Sequence, residues 1–313
     1  MDKQHLNNIS NIIIDGKILN NEPMSKHTSF GIGGYTCYIL PKNEKELSSL
    51  LTYCTNNKID TFFAGSGSNL LVSDQGFNGV VISLKKTFKK LTINEDGSIV
   101  SESGVMLGNL VKNAIKHNIE GLESLIGVPG TLGGALMMNA GAYGSEISKY
   151  FISAKLMDMN GKISKLEKNE VKFSYRSSTF PEDKILIKAS FDCELGNQKE
   201  ILVKKLIASS GRKKNQPLQY RSAGSIFKNP ENAKPAGYLI EKVGLKGLKA
   251  GNAEISEKHA NFIINKGNAS SSDIIKLIKI AQREVFSHFS IWLRLEVKLL
   301  GFNKNIIKSI SYG

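Results

Sequence analysis

A chain of 313 residues with 41% hydrophobic, 22% charged and 8% aromatic side chains exceeds what one hydrophobic core normally organises, and its usage is that of ordinary globular proteins. A single small module and wholesale disorder are excluded. The charge of +14, from 42 basic and 28 acidic residues, is spread as lysine without a block of five, the pattern of a solvated coat and secondarily of attraction to polyanions such as nucleotides.

No apolar run reaches the roughly 18 residues of a spanning helix. The start, Met1-Asp2-Lys3-Gln4-His5, lacks the basic-then-apolar order of a signal peptide, so a cytoplasmic location is expected. Cys37, Cys54 and Cys193 are odd in number, far apart and never in a Cys-x-x-Cys, and read as reduced packing residues rather than a disulfide framework or zinc site.

Along the chain, Asn43 as N-cap followed by Leu47, Leu50, Leu51 and Cys54 at helical spacing predicts an amphipathic helix over 44–57. Thr61-Phe62-Phe63-Ala64, then Gly65-Ser66-Gly67-Ser68-Asn69, then Leu70-Leu71-Val72 read as strand, tight glycine loop, strand. Leu107, Leu110, Val111 and Ile115 place a helix over about 106–118, leading into a glycine-dense stretch, 127–144. Strands are expected near 151–158 and 185–193, a helix over 197–210, and a polar, basic break suited to a domain boundary from Gly211 to Pro217. Ser271-Ser272-Asp273 caps a periodic helix carrying Ile274, Leu277, Ile278, Ala281 and Val285, and Trp292 to Leu299 reads as a terminal strand. The chain is mixed α/β, without internal repeats.

The glycine clusters carry most of the functional information. In Gly65-Ser66-Gly67-Ser68-Asn69, small residues let main-chain N–H groups turn toward an anion, while serine hydroxyls and the Asn amide add donors. The run from Gly127 to Gly144 (GVPGTLGGALMMNAGAYG) suits a flat ligand lying against backbone or a close Gly/Ala helix contact. Neither is a Walker loop, and Gly31-Ile32-Gly33-Gly34-Tyr35-Thr36 fails the dinucleotide fingerprint at its last glycine.

Taken together, the segments Lys26 to Gly34 (KHTSFGIGG), Gly65 to Asp74 (GSGSNLLVSD), Gly127 to Gly144, Phe173-Ser174-Tyr175-Arg176-Ser177-Ser178, Ser222 to Pro230 (SAGSIFKNP), Ser256-Glu257-Lys258-His259-Ala260, and Leu295-Glu296-Val297 before Gly301 closely resemble one family, the flavin-dependent UDP-N-acetylenolpyruvoylglucosamine reductases of bacterial peptidoglycan synthesis. They occur in family order over residues 24–301. The departures are small: Ser66 stands where glycine or asparagine is common, and Arg221 where proline often precedes the serine motif.

The resemblance implies an α/β (α+β) chain with a two-lobed FAD-binding region of the vanillyl-alcohol-oxidase type and a C-terminal α+β substrate domain, in the compact subgroup. The expected divisions are 1–84, 85–206 and 207–313, with the last strand or tail free to return to the first lobe. It further implies non-covalent FAD, NADPH as co-substrate and the UDP-linked enolpyruvyl ether as substrate, with no metal, nucleic acid, membrane insertion or obligate protein partner. FAD is expected on Gly65, Ser66, Gly67, Ser68 and Asn69, on Pro129, Gly130, Thr131, Gly133 and Gly134, and on Asn139, Ala140, Gly141 and Ala142. Covalently flavinylated oxidases often carry a loop histidine where this chain has Ser68, and none lies between His27 and His117.

Hydride addition to the enolpyruvyl methylene leaves an enolate that needs charge stabilisation and a proton. The resemblance assigns the carboxylate to Arg176, whose fork suits paired donation, proton sharing to Glu296, and protonation of carbon to Ser225. Arginine is scarce among the basic residues, which favours a role lysine cannot fill. Alternation over Ile291–Leu300 puts Trp292, Arg294, Glu296 and Lys298 on one strand face. Tyr175, Lys228, Asn229 and His259 are the implied substrate contacts.

Overall fold

In the computed structural model, which describes residues 1–311, the Asn43 side chain accepts the Glu46 N–H (3.0 Å) and opens the helix Glu44–Asn56, burying Leu47, Leu50, Leu51 and Cys54. The chain divides into two compact units, the first formed by residues 1–20, 37–66 and 79–212, the second by 21–36, 67–78 and 213–313.

The first unit contains two cores. A four-stranded sheet has the order Lys17–Pro23, Tyr35–Leu40, Val80–Ile82, Thr61–Phe63, and the last three strands are parallel. Parallel strands are normally covered on both faces, and Val80, Val81 and Ile82 are fully buried. The helices Lys3–Ile12 and Glu44–Asn56 supply Ile9, Leu47, Leu50 and Leu51 to this core.

The polar end of the second helix is also structural. The buried Glu46 carboxylate accepts the N–H groups of Ile14, Asp15, Gly16 and Lys42 at 2.9, 2.6, 3.3 and 2.7 Å, tying the entry loop to the helix start. Burial alone would raise its pKa, but these four donors favour the carboxylate and hold it below the usual range.

The second core lies on an antiparallel five-stranded sheet with the order Ile163–Glu167, Phe151–Asp158, Lys184–Asp192, Ser98–Glu102, Leu91–Ile93. The helix Leu107–Lys116 contributes Leu107, Leu110, Val111 and Ala114, and Phe151 makes edge contacts with Phe173, Phe180 and Phe191. Inside the glycine-dense stretch a short helix, Leu132–Met137, starts at Thr131.

In the second unit, the helix Ser271–Phe289 packs with the sheet Lys249–Ala250, Ala253–Ile255, Ile263–Asn265 and the helix Ala236–Lys242. Buried Gln282 donates to Leu293 O and Ile310 O, fastening the returning chain and the helix Lys304–Ser311. All three cysteines are free and buried, and no described helix is long and apolar enough to cross a membrane.

The strand, glycine loop, strand order over 61–72 is observed, with Leu70–Val72 pairing in parallel with Lys298–Leu300, so the loop leads from one sheet to another. Three local expectations need correction. The helix expected to stop near 210 runs from Gln198 to Asn215, through Gly211. A Cβ there would meet the Tyr143 hydroxyl at 2.6 Å, so this glycine marks a close approach rather than a helix end. Ser270, one residue early, is the N-cap of Ser271–Phe289 in a capping box with Asp273, which frees Ser271 to receive Asp74. The terminal strand is only Lys298–Leu300, because the preceding segment bonds instead to residues 226–228. Leu293 and Val297 are buried, Arg294 and Lys298 exposed, and Trp292 and Glu296 half-buried.

Candidate active site

Two glycine-bearing loops meet in the first unit. Gly65 lies against Thr131, whose Oγ1 would be 2.6 Å from a Cβ at position 65. Thr131 caps its own short helix by accepting the Gly134 N–H (3.4 Å), while the Leu132 and Gly133 N–H groups bond Val105 O and Ser103 O at 2.8 and 2.9 Å. The Ser66 Oγ is buried without a hydrogen-bond partner. An orphan hydroxyl beside closely approached small residues suits a ligand rich in acceptors, which is the chemistry of a flavin nucleotide.

Arg176 lies on the hairpin that pairs Phe173–Ser174 with Ser177–Ser178, at φ 53, in the left-handed region that arginine rarely adopts. Its Nη2 donates to Gly141 O (2.8 Å), and its guanidinium lies 5.0 Å from the centroid of the exposed Tyr175 ring. The buried Asn139 amide donates to Ser174 O (3.0 Å) and to Glu146 Oε2 (2.8 Å). The first unit thus brings Arg176, Tyr175 and the 139–142 segment together.

Arg212 belongs to the same neighbourhood and was not singled out from the sequence. Its Cδ would lie 3.3 Å from a Cβ at Gly127, and burial lowers its pKa, with Tyr143 favouring and Arg176 opposing its charge. Its position inside what read as a linker concealed it. The scarcity of arginine in a lysine-rich chain was the available signal.

The rest of the first glycine loop belongs to the second unit. Gly67 packs so closely on His27 that a Cβ would sit 1.9 Å from His27 O, and Gly67 O accepts the Ser29 N–H (3.0 Å). Asn69 donates from Nδ2 to Glu296 O (3.0 Å), and its own carbonyl accepts the Lys298 N–H (3.0 Å). Glu296 N–H donates to Ile226 O (2.8 Å), and Lys228 N–H to Arg294 O (2.9 Å). Ser225 and Glu296 therefore stand on hydrogen-bonded neighbouring segments, with Asn69 attached to the same strip.

Buried Asn261 fixes this strip from the other side. Its main-chain carbonyl accepts the Ile226 N–H (2.9 Å), its Oδ1 accepts the Phe227 N–H (3.0 Å), and its Nδ2 donates to Phe227 O (2.8 Å). Asn261 directly follows the Ser256–Ala260 motif and carries no signal of its own in the sequence. His259 Nδ1 accepts the Asn261 N–H (3.3 Å), and burial lowers its pKa, so the neutral ring supports the same turn. Exposed Asn229 accepts the Ala236 N–H (3.1 Å) at a helix start, and Lys228 is half-buried. Among the described residues no cluster of His, Cys, Asp or Glu could hold a metal.

A sheet-based region with two abutting glycine loops and an orphan donor is compatible with a flavin nucleotide, and residues 35–167 match the family model described as FAD binding domain, which places the chain among flavin-binding proteins. Residues 216–300 match the model for the UDP-N-acetylenolpyruvoylglucosamine reductase C-terminal domain. The chain is 43% identical to the reductase of that name from Carboxydothermus hydrogenoformans, over 96% of this chain and 100% of the relative. It is 43% identical to that from Caldanaerobacter subterraneus, over 94% and 97%. The crystal structure of the Thermus caldophilus reductase superposes with a TM-score of 0.78 at 31% identity, covering 91% of this chain and 99% of that one. The chain belongs to the UDP-N-acetylenolpyruvoylglucosamine reductase family.

Proposed function

We infer that this chain catalyses the NADPH-dependent, FAD-mediated reduction of the enolpyruvyl ether of UDP-N-acetylglucosamine enolpyruvate to UDP-N-acetylmuramate, a step of peptidoglycan precursor synthesis. The observation that carries this reading is the 43% identity along 96% of the chain, which spans both the FAD-binding region and the C-terminal domain. Its soluble nucleotide substrates favour a cytoplasmic enzyme. In this reading two FAD-binding lobes fall within 1–84 and 85–206 and the substrate domain within 207–313, with segments 21–36 and 67–78 packed into the latter's unit.

FAD would be held without a covalent bond by Gly65, Ser66, Gly67, Ser68 and Asn69, by Pro129, Gly130, Thr131, Gly133 and Gly134, and by Ala140, Gly141 and Ala142, a reading supported by the orphan Ser66 hydroxyl. The chemistry supplied by bound FAD is hydride relay from NADPH to the terminal methylene of the enolpyruvyl group. Charge then develops at the adjacent carbon and spreads into the carboxylate. Arg176 binds that carboxylate and stabilises the growing charge with a permanent cation. Glu296 shares a proton with the same group, lowering the penalty of a second negative charge. Ser225 delivers the proton that completes the lactyl ether. Tyr175, Lys228, Asn229 and His259 line or support substrate binding.

The experiment is direct. Acid precipitation of the purified protein should release all flavin into the supernatant, and NADPH oxidation should require the enolpyruvyl sugar nucleotide. A colourless protein that neither binds FAD nor consumes NADPH with this substrate would overturn the assignment.

A further inference from the structure

Arg176 occupies the second position of a two-residue loop, Tyr175–Arg176, in a left-handed conformation that persists only where the surroundings over-determine it. Three side-chain bonds to main chain supply that constraint. Asn139 Nδ2 holds Ser174 O (3.0 Å), Ser178 Oγ holds Met137 O (2.9 Å), and Arg176 Nη2 holds Gly141 O (2.8 Å). The hairpin is thereby laced to the 137–141 segment on both sides of its loop.

The Asn139 amide is the centre of this lacing. It is fully buried, at φ 42, and donates its second hydrogen to Glu146 Oε2 (2.8 Å). Both neighbours are acceptors, so the NH2 group must face them. Gly141 pairs with Glu146 across the adjacent two-residue strands, and a Cβ at 141 would lie 2.8 Å from Glu146 Cγ and 3.3 Å from Arg176 Nη1. Glu146 and the guanidinium thus flank the same glycine. A cofactor contact through the amide hydrogens would have to break one of these bonds.

We propose that Asn139, braced by Glu146, is a positioning residue that holds the Tyr175–Arg176 loop so that the guanidinium meets the substrate carboxylate. This rests on the assignment of Arg176 to that carboxylate. The effect is confined to the half-reaction in which the carboxylate gains charge. NADPH oxidation needs no such alignment.

The test uses the FAD-loaded protein and Asn139→Gly, which accepts φ 42 without strain and removes both bonds. Flavin content and the anaerobic rate of flavin reduction by NADPH should stay at wild-type levels, while reoxidation by the enolpyruvyl substrate slows ~10- to 100-fold, as expected for a misplacement near 1 Å. In an Arg176→Lys background the same substitution should slow reoxidation by less than about threefold, because residues acting through one group are not additive. Wild-type reoxidation in Asn139→Gly, equal slowing of both half-reactions, or full additivity with Arg176→Lys would each overturn the proposal. Loss of flavin would assign the amide, through its unpartnered Oδ1, to cofactor binding instead. Normal reoxidation in Arg176→Lys alone would remove Arg176 from the chemistry, a separate failure read from a separate variant.

Discussion

Ser225→Ala isolates proton delivery from everything else the protein does. The serine backbone is held from both sides: the next residue, Ile226, donates to Asn261 O at 2.9 Å and accepts from Glu296 N–H at 2.8 Å. Gly224 before it has φ 76 and no atom within 4 Å of a notional Cβ, so the turn itself carries the geometry. Alanine removes a half-buried hydroxyl from a fixed strip, a change that should alter stability by no more than ~0.5 kcal/mol. The catalytic loss is expected to be much larger. A positioned general acid is worth ~10²- to 10⁴-fold, or about 3–5 kcal/mol of barrier at 1.36 kcal/mol per decade. Stopped-flow absorbance separates the steps: flavin bleaching by NADPH under anaerobic conditions should be normal, and recovery of absorbance on adding the enolpyruvyl substrate should be slowed by that factor. Ser225→Cys keeps a transferable proton and should recover part of the rate. Equal slowing of both steps would make Ser225 a cofactor-positioning residue, and unchanged reoxidation would send the search for the acid to Glu296 or Lys228.

Four other outcomes are expected. Arg176→Lys inherits the same backbone conformation but loses the fork and the bond to Gly141 O, so it should retain FAD and lose ~10²- to 10³-fold in turnover; near wild-type turnover would move Arg176 out of the site. Glu46→Gln sets an amide NH2 against main-chain N–H donors in a buried loop and should lower unfolding free energy by about 1–3 kcal/mol in a urea titration. Because its folded pKa is below the usual 4.5, Glu46 contributes stability above that value that disappears as pH falls through the lower folded pKa; wild type should therefore lose stability faster than Glu46→Gln across that acidic window, and parallel pH profiles would contradict this. Burial lifts the thiols of Cys37 to about 11 and of Cys54 and Cys193 to about 12, so the native protein should resist iodoacetamide at pH 8 while all three cysteines react in denaturant.

Much of this protein was legible in its sequence, for local reasons. A helix such as Glu44–Asn56 is marked by its cap and by a 3.6-residue apolar period, both properties of adjacent residues, and the same holds for Leu107–Lys116 and the body of Ser271–Phe289. Ordered motifs named the family, because tight turns demand specific small residues at specific spacings.

What lay beyond reach was every feature fixed by a partner distant in the chain. Gly211 reads as a helix stop, and only the approach of Tyr143 shows why a glycine sits inside a helix. The Ile291–Val297 segment alternates like a strand, but its backbone groups bond to residues 226–228 in an irregular strip, which left only Lys298–Leu300 to pair, and that with Leu70–Val72. Asn139 and Asn261 are ordinary polar letters in sequence. Tertiary structure buries each against main-chain groups of a distant turn or strip, where an amide can satisfy backbone that has no sheet or helix to bond to. Local pattern is encoded by neighbours along the chain, but the orientation of Arg176 and the juxtaposition of Ser225 with Glu296 depend on hydrogen bonds spanning tens of residues, which exist only after the chain has folded.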